Sequence, residues 1–421
     1  MISLERLSGP GFWMVSVAGG EPVYQHRVGA ADTVVVPEPS QAAIRYHRSG
    51  NVLWGVETAL GLLIPALILF TGFSASMRDG ARRVGRRWLP TVAIYALIFT
   101  VVMAVITLPL AYYGGYVRQH AYGLSNQSLG RWFGDWLKGV AVSGVGLTLV
   151  LWIPYLLLRK SPNRWWLYAG LASIPVAALA LVITPVWVDP LFNQYGPMKD
   201  KALEARILAL ADRAGIQGSR VYEVNKSVDT KAVNAYVTGL GGTKRIVLWD
   251  TILAKLEPDQ VVFVMAHEMG HFVLRHTLAF ILGAAVLTIA SLYVVHRVAG
   301  RLIARFSGRF GFDRLSDVAS FPLLLFLGSL VSFVMTPALL AFSRHQEHEA
   351  DRFALEMTRA NRAAGSTFVR LQQENLTVPR PGPLYMVWRG SHPSLGERVD
   401  FANRYRPWEQ GEALRYGHHF R

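Results

Sequence analysis

Six stretches of the chain run for about the length of a bilayer-crossing helix with almost no charge. They are Val52 to Ala75, with the single ionisable residue Glu57, then Pro90 to Tyr113, Gly139 to Leu158, Trp166 to Val188, Leu278 to Val295 and Ala319 to Phe342. A hydrocarbon core of roughly 30 Å needs about 20 apolar residues in a helix, so each stretch predicts a span. Six such runs in one chain exclude the alternative of an ordinary buried core helix. The apolar stretch around Gly11 to Gly19 is too short to cross and lacks the layout of a signal peptide.

The polar remainder divides the chain into an N-terminal segment 1–51, a membrane region 52–188 with about four spans, and a segment 189–421 that carries the last two. Within that last segment the pattern predicts a helix over about Asp200 to Ala214. Short strands follow at Arg220–Val224, Ala235–Thr238 and Ile246–Trp249, and a helix starts at Pro258. The fold class expected is a mainly α-helical polytopic membrane protein with a small β-sheet in its polar part.

Charge sharpens this picture. Lys and Arg number 43 against 28 Asp and Glu, and the surplus gathers in three short loops. Arg78, Arg82, Arg83, Arg86 and Arg87 follow the first span, Arg159, Lys160 and Arg164 the third, and Arg297, Arg301, Arg305, Arg309 and Arg314 the fifth. In a six-span chain all three loops fall on one face, so the surplus marks a bilayer as the partner and speaks against nucleic acid. The same rule places these loops in the cytoplasm and the segment 189–276 on the other side. Cysteine is absent, so any metal must be held by His, Asp or Glu.

His267-Glu268-Met269-Gly270-His271 supplies such a set. Positions i and i+4 of a helix share a face, so His267 and His271 can address one ion while Glu268 stands beside it as a general base. A catalytic zinc takes three protein ligands and keeps a fourth position for water. A third His ten residues after the first is excluded, because that position is Thr277, and His276 reads as a helix-boundary residue. The third ligand is therefore expected among the carboxylates of Ser343-Arg344-His345-Gln346-Glu347-His348-Glu349-Ala350-Asp351, where Glu347 and Asp351 share a helix face. Glu347 reads as the ligand and Asp351 as its neighbour, hydrogen-bonded to a ligand His.

Taken together these motifs resemble the M48 zinc metallopeptidases of the Ste24-like, CAAX prenyl protease type, over about Pro37 to Arg404. His267 to His271 matches the family's His-Glu-Leu-Gly-His pattern, and Ser343-Arg344 with Glu347 and Ala350-Asp351 matches its Ser-Arg-x-x-Glu-x-x-Ala-Asp signature. Lys244 to Leu248 through Asp250-Thr251 resembles the strand before the catalytic helix. The resemblance implies a helical transmembrane barrel around a large chamber, joined to a gluzincin-type peptidase domain. It implies one Zn2+ per chain on His267, His271 and Glu347, with Asp351 and Arg344 in the supporting network. It further implies that Asn234, Ala235 and Tyr236 lie on an edge strand that contacts an extended substrate. His392 and Arg398, of Ser391-His392-Pro393-Ser394-Leu395-Gly396-Glu397-Arg398, would face the active site and steady the oxyanion.

The family typically has seven spans and, in its eukaryotic members, a catalytic segment toward the cytosol; here six spans are read and the basic loops place that segment outside. The expected activity is zinc-dependent endoproteolysis of peptides or membrane-associated proteins, in the inner membrane of a bacterial cell. A non-catalytic scaffold or transporter that retains a zinc site is the alternative. An intramembrane protease would need its motif inside a span, and an ATP-driven protease a phosphate-binding loop that the chain lacks.

Overall fold

The computed structural model describes residues 33–216, 220–238 and 245–420, together with the backbone of three short strands, β1 (Ser3–Glu5), β2 (Met14–Ser16) and β3 (Val23–Tyr24), paired antiparallel in that order. Most of the stretch 11–19, and Lys244, lie outside the described residues.

Helix α1 covers Gln41–Phe70, capped by Ser40, whose hydroxyl accepts from Ala43 N at 3.1 Å. It therefore begins eleven residues before the apolar run at Val52, because the polar turns Gln41 to Asn51 continue the helix outside the bilayer. It ends at Thr71, and Gly72 takes φ +73° so that a separate amphipathic helix α2 (Phe73–Gly85) can turn away, which moves the end of the first span from Ala75 to Phe70. Helix α3 (Trp88–Tyr112) runs on through a π-helical turn to Ala121. Helix α4 covers Leu129–Lys160 and α5 covers Trp165–Ile183, the latter extended to Phe192.

The polar unit follows. Strand β4 (Tyr195–Pro197) precedes helix α6 (Lys201–Arg213), and β5 (Arg220–Val224), β6 (Ala235–Thr238) and β7 (Arg245–Trp249) complete a sheet of order β4-β5-β7-β6. β6 runs antiparallel to β7 with Ala235 opposite Leu248, and among the described residues no strand pairs with its outer side. A short helix α7 (Asp250–Lys255) leads to α8 (Pro258–Val273). Helices α9 (His276–Phe310) and α10 (Phe321–Thr358) are the last two spans, and α11 (Asn361–Glu374), α12 (Pro383–Trp388) and α13 (Leu395–Arg404) close the chain.

Among the described residues six helices are long and apolar enough to cross a membrane. In α9 only 11% of the most apolar window is buried by protein, and Val105 of α3, Leu149 of α4, Val286 of α9 and Val334 of α10 are each more than half exposed. Apolar surface on that scale, on every long helix, requires lipid around it. Where the helices meet, buried hydroxyls are paired: Ser74 Oγ donates to the Ala319 carbonyl at 2.6 Å, and the Tyr155 and Ser320 hydroxyls lie 2.9 Å apart.

A second core fills the peptidase unit. Val221, Ile246 and Leu248 from the sheet pack with Ile207 of α6, Phe263 and Met269 of α8, Phe353 of α10, Phe368 of α11 and Val399 of α13. Residues 34–37, just before α1, are strapped onto this core: Asn403 accepts from Val34 N at 3.0 Å and donates to Val34 O at 2.8 Å, and Gln372 Nε2 donates to Pro37 O at 2.9 Å.

Candidate metal centre

Helix α8 starts where its sequence dictates. Glu257 caps it reciprocally with Gln260, whose Oε1 accepts from Glu257 N at 2.9 Å, and Pro258 fills the first helical position, where a missing N–H is harmless. The apolar positions Val261, Met265 and Met269 then bury one side of α8 and leave His267, Glu268 and His271 on the side that meets α10. Gly270 allows that meeting. A Cβ there would stand 3.1 Å from Cδ1 and 3.2 Å from Cβ of Phe353, a ring fully buried in α10. We expect Gly270→Ala to cost about 1–3 kcal/mol of stability through overpacking, and to weaken zinc binding because it pushes the helix carrying both His away from Glu347. Thermal denaturation and a metal-competition titration check both parts.

Helix α10 is a single unbroken helix from the membrane into the peptidase unit, so Glu347 is fixed to the end of a span. His267 Nε2 lies 3.2 Å from Glu347 Oε2, His271 Nε2 lies 3.4 Å from Glu347 Oε1, and the two Nε2 atoms are 3.1 Å apart. One ligand atom from each of these residues falls within 4.8 Å of the others. Glu347 Oε2 is buried and satisfied by no hydrogen bond. A buried carboxylate oxygen without a donor, facing two imidazole nitrogens, fits a divalent cation, and a His-His-Glu set is one that zinc takes with a position left open.

Each ligand is held from behind. His267 Nδ1 lies 2.9 Å from Asp351 Oδ1, which fixes the tautomer with Nε2 toward the ion site. Asp351, 1% exposed, is gripped in turn by Arg398 of α13 through Nε to Oδ2 at 2.8 Å and Nη2 to Oδ1 at 2.6 Å. The Arg398 guanidinium also covers the Phe368 ring at 4.2 Å. Arg398, expected to face the active site and steady the oxyanion, is buried behind His267 with its guanidinium engaged by Asp351, and its capping-box helix α13 aims it there.

Arg344 likewise stands apart from the Asp351 network. Its Nη1 donates to the carbonyls of Met386 at 2.6 Å and Gly390 at 2.7 Å, and so fastens the segment leading to His392. His392 does reach the site, with Nε2 at 3.3 Å from Glu347 Oε1 and Nδ1 at 2.8 Å from Ser391 Oγ. Of the edge-strand residues, Asn234 is exposed, Ala235 is buried, and the Tyr236 hydroxyl lies 3.2 Å from that of Tyr195. Thr251, behind β6, donates to the Ala232 carbonyl at 2.7 Å.

One partner was not legible in the sequence. α8 ends at Leu274, Arg275 takes φ +56°, and the chain turns back so that His276 Nδ1 lies 2.9 Å from His271 Nδ1. His276 thus orients His271 as Asp351 orients His267. The sequence places His276 correctly at a helix boundary, but a non-glycine residue in the left-handed region leaves no signal that the boundary folds back.

Two ionisation states matter to what the site can do. Burial raises the Glu268 carboxyl above its ordinary value, an effect offset by the two neighbouring imidazoles, and no described residue hydrogen-bonds to it. Burial would lower His267, yet the neighbouring carboxylates of Asp351 and Glu347 outweigh that and push it up to about 10. In the metal-free protein the imidazolium therefore contributes stability below its unfolded value of 6.5, and that contribution is lost as pH rises through about 10. Zinc must displace this proton. Apparent zinc affinity is expected to rise about tenfold per pH unit between roughly pH 7 and 9, which titration against a chromophoric chelator measures.

Residues 29–194 match a family described as CAAX prenyl protease N-terminal, five membrane helices, and residues 197–406 match peptidase family M48. Among the described residues the first region holds four of the six long apolar helices. The chain is 36% identical over 397 residues to the metalloprotease YhfN of Bacillus subtilis, with 93% of each chain covered. It is 29% identical over 378 residues to a CAAX prenyl protease 1 homolog of Dictyostelium discoideum, covering 88% of this chain and 86% of that one. The crystal structure of Ste24p from S. mikatae superposes with a TM-score of 0.76 at 24% identity, over 86% of this chain and 88% of that one.

Proposed function

Because this chain belongs to peptidase family M48 and is a multi-pass membrane zinc metallopeptidase, we propose that it hydrolyses internal peptide bonds of extended or membrane-associated polypeptides in a bacterial inner membrane, with Glu268 as the general base. The observation that carries this reading is the convergence of His267, His271 and Glu347 near a carboxylate, Glu268, to which no described residue hydrogen-bonds.

His267, His271 and Glu347 would hold one zinc ion. When bound, zinc supplies a Lewis acid that polarises the scissile carbonyl and acidifies water. Glu268 takes the proton of the attacking water and returns it to the leaving amine; its raised affinity for protons suits that exchange. His392, held through Ser391 and the Arg344 clamp, offers Nε2–H on the open side of Glu347 and is assigned to the oxyanion. The outer edge of β6 offers the main chain of Ala235 to Thr238 to a substrate strand, with Asn234 and Tyr236 as flanking contacts. Asp351, Arg398 and His276 position the ligands.

The test uses purified full-length protein: metal content, and cleavage of an unstructured peptide and of its farnesylated form, before and after chelation and zinc return. One zinc per chain, with activity lost on chelation and restored by zinc, supports the reading. Bound zinc without cleavage of any peptide would turn it toward a scaffold or transporter. The farnesylated arm decides whether prenylation contributes to recognition.

A further inference from the structure

At the opposite end of the membrane region from the metal centre lies a second cavity, of about 700 Å³. It is bounded by the end of α4, the start of α5, the last turns of α9 and the loop that leads to α10. From Ser320 to Glu347 the single helix α10 rises through 27 residues, about 40 Å, so the two sites are separated by the thickness of the bilayer core. The cavity is lined by none of the residues that form the metal centre.

Its lining is amphipathic. Leu158, Ile303 and the buried Trp165 form an apolar wall, while Arg159, Arg314 and His296 present cations and donors. Trp165 Nε1–H donates to His296 Nδ1 at 3.2 Å, which makes Nδ1 the acceptor and leaves Nε2–H of His296 as a donor. One carboxylate, Asp313, also borders the cavity, at 3.7 Å from Arg314, and both side chains are largely exposed.

The charge around it is lopsided. The three basic loops and the end of α9 carry the thirteen Lys and Arg named from the sequence, against Asp79, Asp313 and Asp317. Those three acids are taken by Arg78, Arg82 and Arg314. Arg159 has no carboxylate partner among the described residues and instead stacks on the Trp88 ring at 4.7 Å. A cavity with cations at its rim and apolar walls running into the bilayer matches an anionic diacyl lipid, with its phosphate among the cations and its chains along the apolar wall.

We propose that this cavity is a specific site for an anionic phospholipid headgroup, held by Arg159, Arg314 and His296. The experiment reconstitutes the full chain in phosphatidylcholine nanodiscs doped with phosphatidylglycerol, extracts it into mild detergent and counts retained lipid by native mass spectrometry. Phosphatidylglycerol should be retained at one per chain in preference to phosphatidylcholine. Arg159→Gln/Arg314→Gln should weaken that retention about thirtyfold, given the contribution of two basic groups beside an anionic lipid. Arg83→Gln/Arg309→Gln, which removes the same charge away from the cavity, should leave it intact.

Zinc content and peptide cleavage, unchanged in both variants, certify folding. Equal retention of the two lipids, or equal loss in both double variants, would overturn the proposal in favour of a diffuse basic surface. Full displacement of the lipid by millimolar glycerol 3-phosphate would overturn it in favour of a soluble phosphate site.

Discussion

Glu268→Gln is expected to retain one zinc per chain and to lower kcat for peptide cleavage by about 10²–10⁴-fold, the range that a general base contributes. Gln preserves the shape of the side chain and leaves the His267–Asp351 and His271–His276 pairs untouched, so the ligand set should stay assembled. It removes the one carboxylate at the site that no described residue occupies. Metal analysis and single-turnover cleavage on the same preparation separate the two effects. Activity within a few fold of wild type would show that another group takes the proton; loss of zinc would show that Glu268 belongs to the ligand set.

The second large effect is expected at Asp351. Asp351→Ala strips the buried Arg398 of its counter-charge, and breaking a buried pair from one side costs about 3–5 kcal/mol. It also frees the His267 ring that Asp351 orients, which should reduce zinc affinity roughly 10–100-fold. The two consequences separate in the double variant Asp351→Leu/Arg398→Met. With both charges gone and the volume refilled, most of the stability should return, whereas zinc affinity should stay low because His267 Nδ1 still lacks its acceptor. Recovery of zinc affinity together with stability would mean that Asp351 acts only through folding. Denaturant unfolding of the detergent-solubilised protein and competitive metal titration supply the two readouts.

These predictions place Arg398 differently from the reading of its motif. A cation six residues after a loop histidine gives no hint of which side it faces; the core packing of α13, through Val399 and Ala402, turns Arg398 inward onto Asp351. Arg344 shows the same limit. Its place in the signature suggested the metal network, and residues 344, 347 and 351 do share a face of α10 at i, i+3 and i+7, but the long Arg344 side chain reaches the carbonyls of Met386 and Gly390 instead.

By itself the sequence determined what short-range physics dictates. Uncharged runs of bilayer length fixed the six spans, since a charge within them would be expensive in hydrocarbon. The spacing of His267 and His271, and of Glu347 and Asp351, fixed which pairs share a helix face, and the strands 220–224 and 235–238 and the start at Pro258 followed from local pattern and caps. What required the tertiary structure was everything set by contacts distant in sequence. The approach of α8 to α10 over Gly270, the strapping of Val34 to Asn403 and the inward turn of Arg398 each depend on a partner tens to hundreds of residues away, while the fold-back that brings His276 to His271, five residues along, depends on Arg275 taking the left-handed region. No local propensity encodes such a partner, because the free energy that selects it is released only when both surfaces are already built.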